Sequence, residues 1–218
     1  LVTVSSVTDD RQLASRGLRR SYIAVGRHLE TTMMATTHVF VGLLLAGGVA
    51  MLAPDYAGVA AAGAILGGLV PDFDVVGAHR KTLHFPVYYW LPAIGATVLA
   101  FMVPTPTTVF LAVCLLAAAV HCLTDVIGGS HELRPWEGNR DRAVYSHYHG
   151  RWLEPRRWIA YDGSPGDLAF AAVLAVPLLF VFETAVQFVV IGMLLVSISY
   201  ALLRKPLASG AGWLLDRN

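Results

Sequence analysis

The segment from Gly67 to His84, GGLVPDFDVVGAHRKTLH, sets two carboxylates (Asp72, Asp74), two imidazoles (His79, His84) and two cations (Arg80, Lys81) between apolar runs. Ionisable groups beside hydrocarbon are costly, are usually paired, and mark functional sites by default. Further along, His121 and Asp125 are spaced i, i+4 and share one helix face, from which Cys122 points away. Taken alone, that pair reads as a hydrogen-bonded lock for helix packing. Set beside His38, Asp72, Asp74, His79 and His84, it belongs to a group too large for one hydrogen-bond network. The seven residues read as ligands of a divalent metal. Imidazole and carboxylate suit Zn²⁺, with Mn²⁺ and Fe²⁺ as alternatives, and the absence of cysteine from the set argues against a structural zinc site. A catalytic metal needs only about three protein ligands. The set therefore has room for two ions, or for one ion with a general base and orienting groups.

The elements that must position these groups are apolar. Of 218 residues, 56% are hydrophobic and only 14% charged, where a soluble domain carries about 25% charged residues. The deficit predicts an integral membrane protein. The net charge of +1 carries no message about acidic partners or nucleic acid. Cys114 and Cys122 lie on one apolar stretch, too far apart along a helix for a disulfide.

Apolar runs at about 38–53, 57–70, 86–103, 108–124, 167–182 and 185–203 predict an all-α, polytopic membrane protein of about six helices. A spanning helix needs roughly 17–25 residues. The third, fourth and sixth runs meet that, and the first and fifth sit at the margin. The second, Ala57–Val70, is only about 21 Å long at 1.5 Å per residue. It is expected to leave Pro71 and Asp72 just below the membrane surface in a protein-lined hollow. Pro92 and Pro177 are expected to kink their helices. If the six runs are six spans, all 16 Lys and Arg residues fall on one side, and the connections near Pro54, Pro104 and Glu183 carry none. The positive-inside rule makes the charged side cytoplasmic. Every histidine then falls on that face, as does the metal set.

Residues 1–32 are polar and Arg-rich and precede the Met33-Met34 pair; they read as a disordered tail or an over-extended start. Residues 33–218 read as a single membrane-embedded domain. A signal peptide ending near Leu52-Ala53 is disfavoured, because Pro54 follows and Met51 stands where a small residue is wanted. Within residues 33–218 the 133–167 region is the one substantial polar stretch, rich in Arg, Trp and Tyr. Such interleaving can bind single-stranded nucleic acid. Next to a membrane it reads instead as an interfacial cytoplasmic loop, with aromatics at the interface and Arg on lipid headgroups. The expected partners are membrane lipids and a small-molecule or lipid substrate, with no nucleic acid. Ser164 and Pro165 are suited to open the helix that follows.

The order of motifs carries a resemblance. Thr37-His38 stands at a helix start, followed by Gly67-x-x-x-Pro71-Asp72-x-Asp74, His79-Arg80-x-x-x-His84, and His121-x-x-x-Asp125 with glycines after it. Across about residues 34–165 this resembles the membrane-bound metal-dependent hydrolases, a LexA-regulated inner-membrane family. More distantly it is similar to the helical zinc phospholipase C and zinc nuclease group. The resemblance implies a helical inner-membrane protein, a cytoplasmic-face His/Asp metal site, and hydrolysis of a phosphoester or other ester. The family reads Thr-His-Ser where this chain has Leu83-His84-Phe85, so hydroxyl roles at 83 and 85 do not carry over. A metal held by the seven residues would acidify a bound water and polarise a phosphoryl or acyl oxygen. Asp74, Arg80 and Asp125 are the expected catalytic groups, with Arg80 able to neutralise a substrate phosphate.

Two other classes fit part of this pattern. An ion-coupled transporter would place His and Asp near the midplane and often in repeated halves, and no repeat is visible. A non-catalytic membrane scaffold would use the same residues for structure alone. No HExxH zincin helix is present.

Overall fold

The computed structural model describes residues 33–130, 132, 134–137 and 141–216. The proposed tail, residues 1–32, with His28, and the loop residue His131 lie outside the described residues. The described chain is all-α apart from one short hairpin. Its helices are α1 (Ala35–Leu52), α2 (Ala57–Leu69), α3 (Trp90–Met102), α4 (Pro106–Ile127), α5 (Pro165–Val181) and α6 (Thr184–Asp216). The hairpin pairs β1 (Tyr145–Ser146) with β2 (Arg151–Trp152), Tyr145 opposite Trp152.

Four segments are long and apolar enough to cross a membrane: Ala35–Leu52, Pro54–Val75, Pro106–Ile127 and Thr184–Gly210. The lengths differ from the sequence expectation in three places, one of them α6, which runs on to Asp216, well past the end of its apolar run at about 203. The third run forms a helix of only 13 residues, because residues 86–89 form turns and regular helix begins at Trp90. Pro92 then falls in the first turn, where its missing N–H has no helical partner to lose, so it does not interrupt the helix. The second run is longer than expected. After Leu69 the chain continues through Pro71 as a 3-10 helix, Val70–Val76, with Pro71 in its first turn. Pro177 lies inside α5.

The centre of the fold is the packing of α1, α2 and α4 on one another; α3 lies on α4, α5 on α1, and α6 on α5. Val39, Phe40, Leu43 and Ala46 of α1 meet Ala60, Ala61 and Ala64 of α2, with Val109 and Val113 of α4. Small residues set the spacing. A Cβ on Gly67 would lie 2.0 Å from the Cys114 carbonyl oxygen, and one on Gly63 would lie 2.6 Å from that of Phe110. Alanine at either position would force α2 away from α4, which is the familiar use of small-xxx-small spacing between apolar helices.

Helix ends are tied by specific bonds. Thr105 and Thr108 form a reciprocal capping box ahead of Pro106 in α4. Ser164 caps α5 by accepting from the Asp167 amide, as its sequence context predicts. Asp167 itself, fully buried, accepts from the Met34 amide and the Thr37 hydroxyl, both at 2.8 Å. It thereby caps α1, whose own N-cap residue, Met34, has no side chain able to do so. At the far end of α4, the amides of Arg156, Arg157 and Trp158 bond to the carbonyls of Val126, Gly128 and Ile127. These two anchors fix the helix ends that carry His38 and Asp125.

Candidate metal centre

Three helix ends and the loop after α2 contribute to one buried cluster. His38 comes from the first turn of α1, and Asp72 and Asp74 from the 3-10 extension of α2. His79, Arg80 and His84 come from the loop beyond it, and His121 and Asp125 from the last turns of α4. Ligand atoms of Asp72, His84, His121 and Asp125 all lie within 4.8 Å of one another. His121 Nε2 is 3.4 Å from Asp72 Oδ1 and 3.6 Å from Asp125 Oδ2; His84 Nε2 is 3.1 Å from Asp125 Oδ2. His38 stacks on His121 with ring centroids 3.8 Å apart, and its Nε2 lies 3.1 Å from Asp125 Oδ1.

The protons on these rings can be assigned from their outer partners. His121 Nδ1 faces the Gly68 carbonyl at 2.8 Å, which can only accept, so Nδ1 carries the hydrogen. His84 faces carboxylates through both nitrogens, Nδ1 to Asp74 Oδ2 at 2.9 Å and Nε2 to Asp125 Oδ2 at 3.1 Å, and the shorter contact places a single hydrogen on Nδ1. His38 Nδ1 faces Thr124 Oγ1 at 2.9 Å; that hydroxyl gives its single hydrogen to the His121 carbonyl, so it accepts from His38. All three neutral rings therefore present the Nε2 lone pair to carboxylate oxygens. Buried acceptor against acceptor at 3.1–3.6 Å is unfavourable unless a proton or a metal cation lies between them. Nε2 of both His38 and His121 is buried and has no hydrogen-bond partner among the described residues. Imidazole tied through one nitrogen to a carboxylate or carbonyl, with the other free, is the arrangement of a metal-ligating histidine. The donor set fits a divalent ion.

Asp74 and His79, expected among the ligands, stand behind His84. Asp74 accepts from His79 Nδ1 at 2.7 Å, His84 Nδ1 at 2.9 Å, and the amides of Arg80 and Leu83 at 3.2 and 3.0 Å. With four donors on its two oxygens it orients the loop and His84 and has little capacity left to move a proton. Arg80 is 1% exposed and places Nη2 3.2 Å from Asp125 Oδ1. Its backbone is left-handed, with φ of 61°, which costs a non-glycine residue about 1–3 kcal/mol. The Asp74 bond to its amide and the bond from the Tyr145 amide to its carbonyl hold it there. His147 bonds the Lys81 carbonyl through Nε2, and His149 bonds Ser146; neither joins the cluster.

Thr124 and Gly68 were not among the expected site residues, although each fixes a ring. Thr124 stands three positions after His121, where a helix brings it beside that residue's carbonyl. Gly68 adjoins Gly63-x-x-x-Gly67, a pattern readable as close helix approach. No signal in the sequence assigns its carbonyl to His121.

Burial opposes protonation of His84, but the bonds to Asp125 and Asp74 outweigh it and raise its pKa above the ordinary histidine value. In chelator-treated protein its contribution to stability is then fully present below the unfolded pKa of about 6.5 and lost as pH rises through the folded value. Metal needs the deprotonated ring, so loading opposes that trend. The melting temperature in chelator should fall from pH 6 to pH 9, and the gain on adding Zn²⁺ should grow over the same range. A gain from Zn²⁺ that shrinks with rising pH would contradict the assignment.

Compared with known proteins, the chain matches no protein-family model, no curated protein and no solved structure.

Proposed function

We propose that the chain is a membrane-bound, metal-dependent hydrolase that cleaves a phosphoester or other ester, lipid-linked substrates included, with Zn²⁺ as the preferred ion. The observation that carries this reading is the convergence of three imidazole lone pairs on two carboxylates at the ends of apolar helices. A scaffold using His and Asp for packing alone would point its ring N–H groups at Asp72 and Asp125, whereas here they bond to Gly68, Asp74 and Thr124 instead. The motif order shared with the membrane-bound metal-dependent hydrolases supports the same function.

A divalent ion held by Asp72, His84, His121 and Asp125 would supply a water of lowered pKa and would polarise the oxygen of a scissile ester. The chain's own part is positional. Asp74 locks the His84 tautomer, Gly68 and Thr124 lock those of His121 and His38, and burial keeps bulk water from the far side. Asp72 is the exposed edge: its side chain is 18% accessible, against 0–1% for those of His38, His84, His121 and Asp125. Substrate approaches there, beside the exposed Phe73. In a six-span arrangement α3 and α5 cross as short helices, with local thinning of the bilayer taking up the mismatch. The one-sided distribution of Lys and Arg supports a cytoplasmic-face site in the inner membrane.

The test uses detergent-purified full chain, stripped with chelator and reloaded with Zn²⁺, Mn²⁺ or Fe²⁺. Its probes are bis(p-nitrophenyl) phosphate, p-nitrophenyl phosphate and p-nitrophenyl acetate. Metal-dependent turnover that disappears in His121→Ala is expected. Turnover equal in stripped and loaded protein, or retained in that variant, would remove the hydrolase reading.

A further inference from the structure

We infer that the centre takes one divalent ion, and that the Arg80 guanidinium stands where a second would bind. The inference rests on the metal reading above and sharpens it to a stoichiometry. The two oxygens of Asp125 face different surroundings. Oδ2 looks into the group formed with Asp72 Oδ1, His84 Nε2 and His121 Nε2, a four-ligand pocket. Oδ1 looks the other way, toward His38 Nε2 at 3.1 Å and Arg80 Nη2 at 3.2 Å. A carboxylate split in this manner is how two-metal sites share a ligand. Among the described residues the second lobe offers His38 Nε2 and Asp125 Oδ1, short of the three protein ligands a catalytic ion usually has. Its remaining side is filled by a group that is always positive.

Charge points the same way. The cluster holds three carboxylates, Asp72, Asp74 and Asp125, against one guanidinium, and ligating imidazoles are neutral. Two negative charges are left over, the complement of one divalent ion. A second ion would leave the pocket strongly positive in surroundings that screen poorly. Arg80 itself is built for charge more than for hydrogen bonding. Among the described residues its Nε is buried with no partner, and the guanidinium's one hydrogen bond besides that to Asp125 is a long 3.5 Å bond to the Ala143 carbonyl. Burying an arginine so incompletely satisfied makes sense where its charge is the function.

The experiment counts zinc per chain. Stripped full chain in detergent is equilibrated with excess Zn²⁺, desalted, and measured by elemental analysis and native mass spectrometry. One ion is expected for the wild type and for Arg80→Lys. Arg80→Met removes the charge and frees the second lobe, so its count should rise from one toward two at saturating zinc. His38→Ala added to Arg80→Met should return it to one. Two ions in the wild type overturn the proposal. So does an Arg80→Met chain that elutes as folded protein and stays at one. No ion in the wild type removes the metal centre as well. The count does not depend on turnover, so an inactive chain with one ion loses only the hydrolase reading.

Discussion

His121→Ala should leave the chain unable to retain zinc through desalting, while Asp74→Asn should still bind one ion with weakened affinity. The contrast follows from where the two residues stand. His121 Nε2 lies within 3.6 Å of both carboxylates of the four-ligand group. If a buried zinc site is worth about 12 kcal/mol, each of four protein ligands carries roughly 3 kcal/mol, or about a hundredfold in affinity. The loss is compounded because the stacked His38 ring loses its neighbour and the Gly68 carbonyl its donor. Asp74 acts one bond further out, through Nδ1 of His84. Outer partners of this kind typically change metal affinity about 10–100-fold. Asparagine keeps the shape, but its amide nitrogen cannot accept from His79 or from His84. Zinc content measured against free-zinc concentration separates the two. Equal retention by wild type and His121→Ala would take His121 out of the site.

Much of this centre was legible in the sequence because its chemistry conflicts with its surroundings. An imidazole and a carboxylate at i, i+4 in an apolar run, and a His/Asp-rich segment between two others, stand out against hydrocarbon whatever the fold. The register of α4 made His121 and Asp125 neighbours without coordinates. The sequence could not separate ligands from the groups that hold them. Asp72 and Asp74 are the same residue type two positions apart on a 3-10 turn, and only the turn decides that one faces His121 and the other His84 Nδ1. Arg80 read as a loop cation because nothing local marks an arginine for burial. Its left-handed backbone and its contact with Asp125 depend on the hairpin beyond α4, far along the chain. The six helices were readable from hydropathy. Their lengths were not, since turn residues ahead of Trp90 are as apolar as the helix itself, and a proline can open a 3-10 turn as readily as it can end a helix.

Gly67→Ala should be the most destructive single methyl in the molecule. The added Cβ would lie 2.0 Å from the Cys114 oxygen, 2.8 Å from its carbon and 2.9 Å from Ala117 Cβ. Two of these are backbone atoms of α4, so no side chain can rotate away, and α2 must move bodily. Overpacking of well-packed helices typically costs 1–3 kcal/mol, and rigid backbone on both sides puts this case at about 3 kcal/mol or more. The effect reaches the metal because the next residue, Gly68, supplies the carbonyl that orients His121, and α2 runs on into Asp72. A displacement of about 1 Å there is enough to spoil a site that depends on such geometry. Gly95→Ala and Gly192→Ala are the controls. A Cβ at either meets nothing within 4 Å, and each should stay within about 0.5 kcal/mol of wild type. Thermal melts in detergent, read with zinc content on the same samples, should show Gly67→Ala losing both stability and ion while the controls keep both. If Gly67→Ala melts with the wild type and retains its zinc, α2 and α4 do not approach as closely as the packing requires, and the route by which the helices shape the centre fails with it.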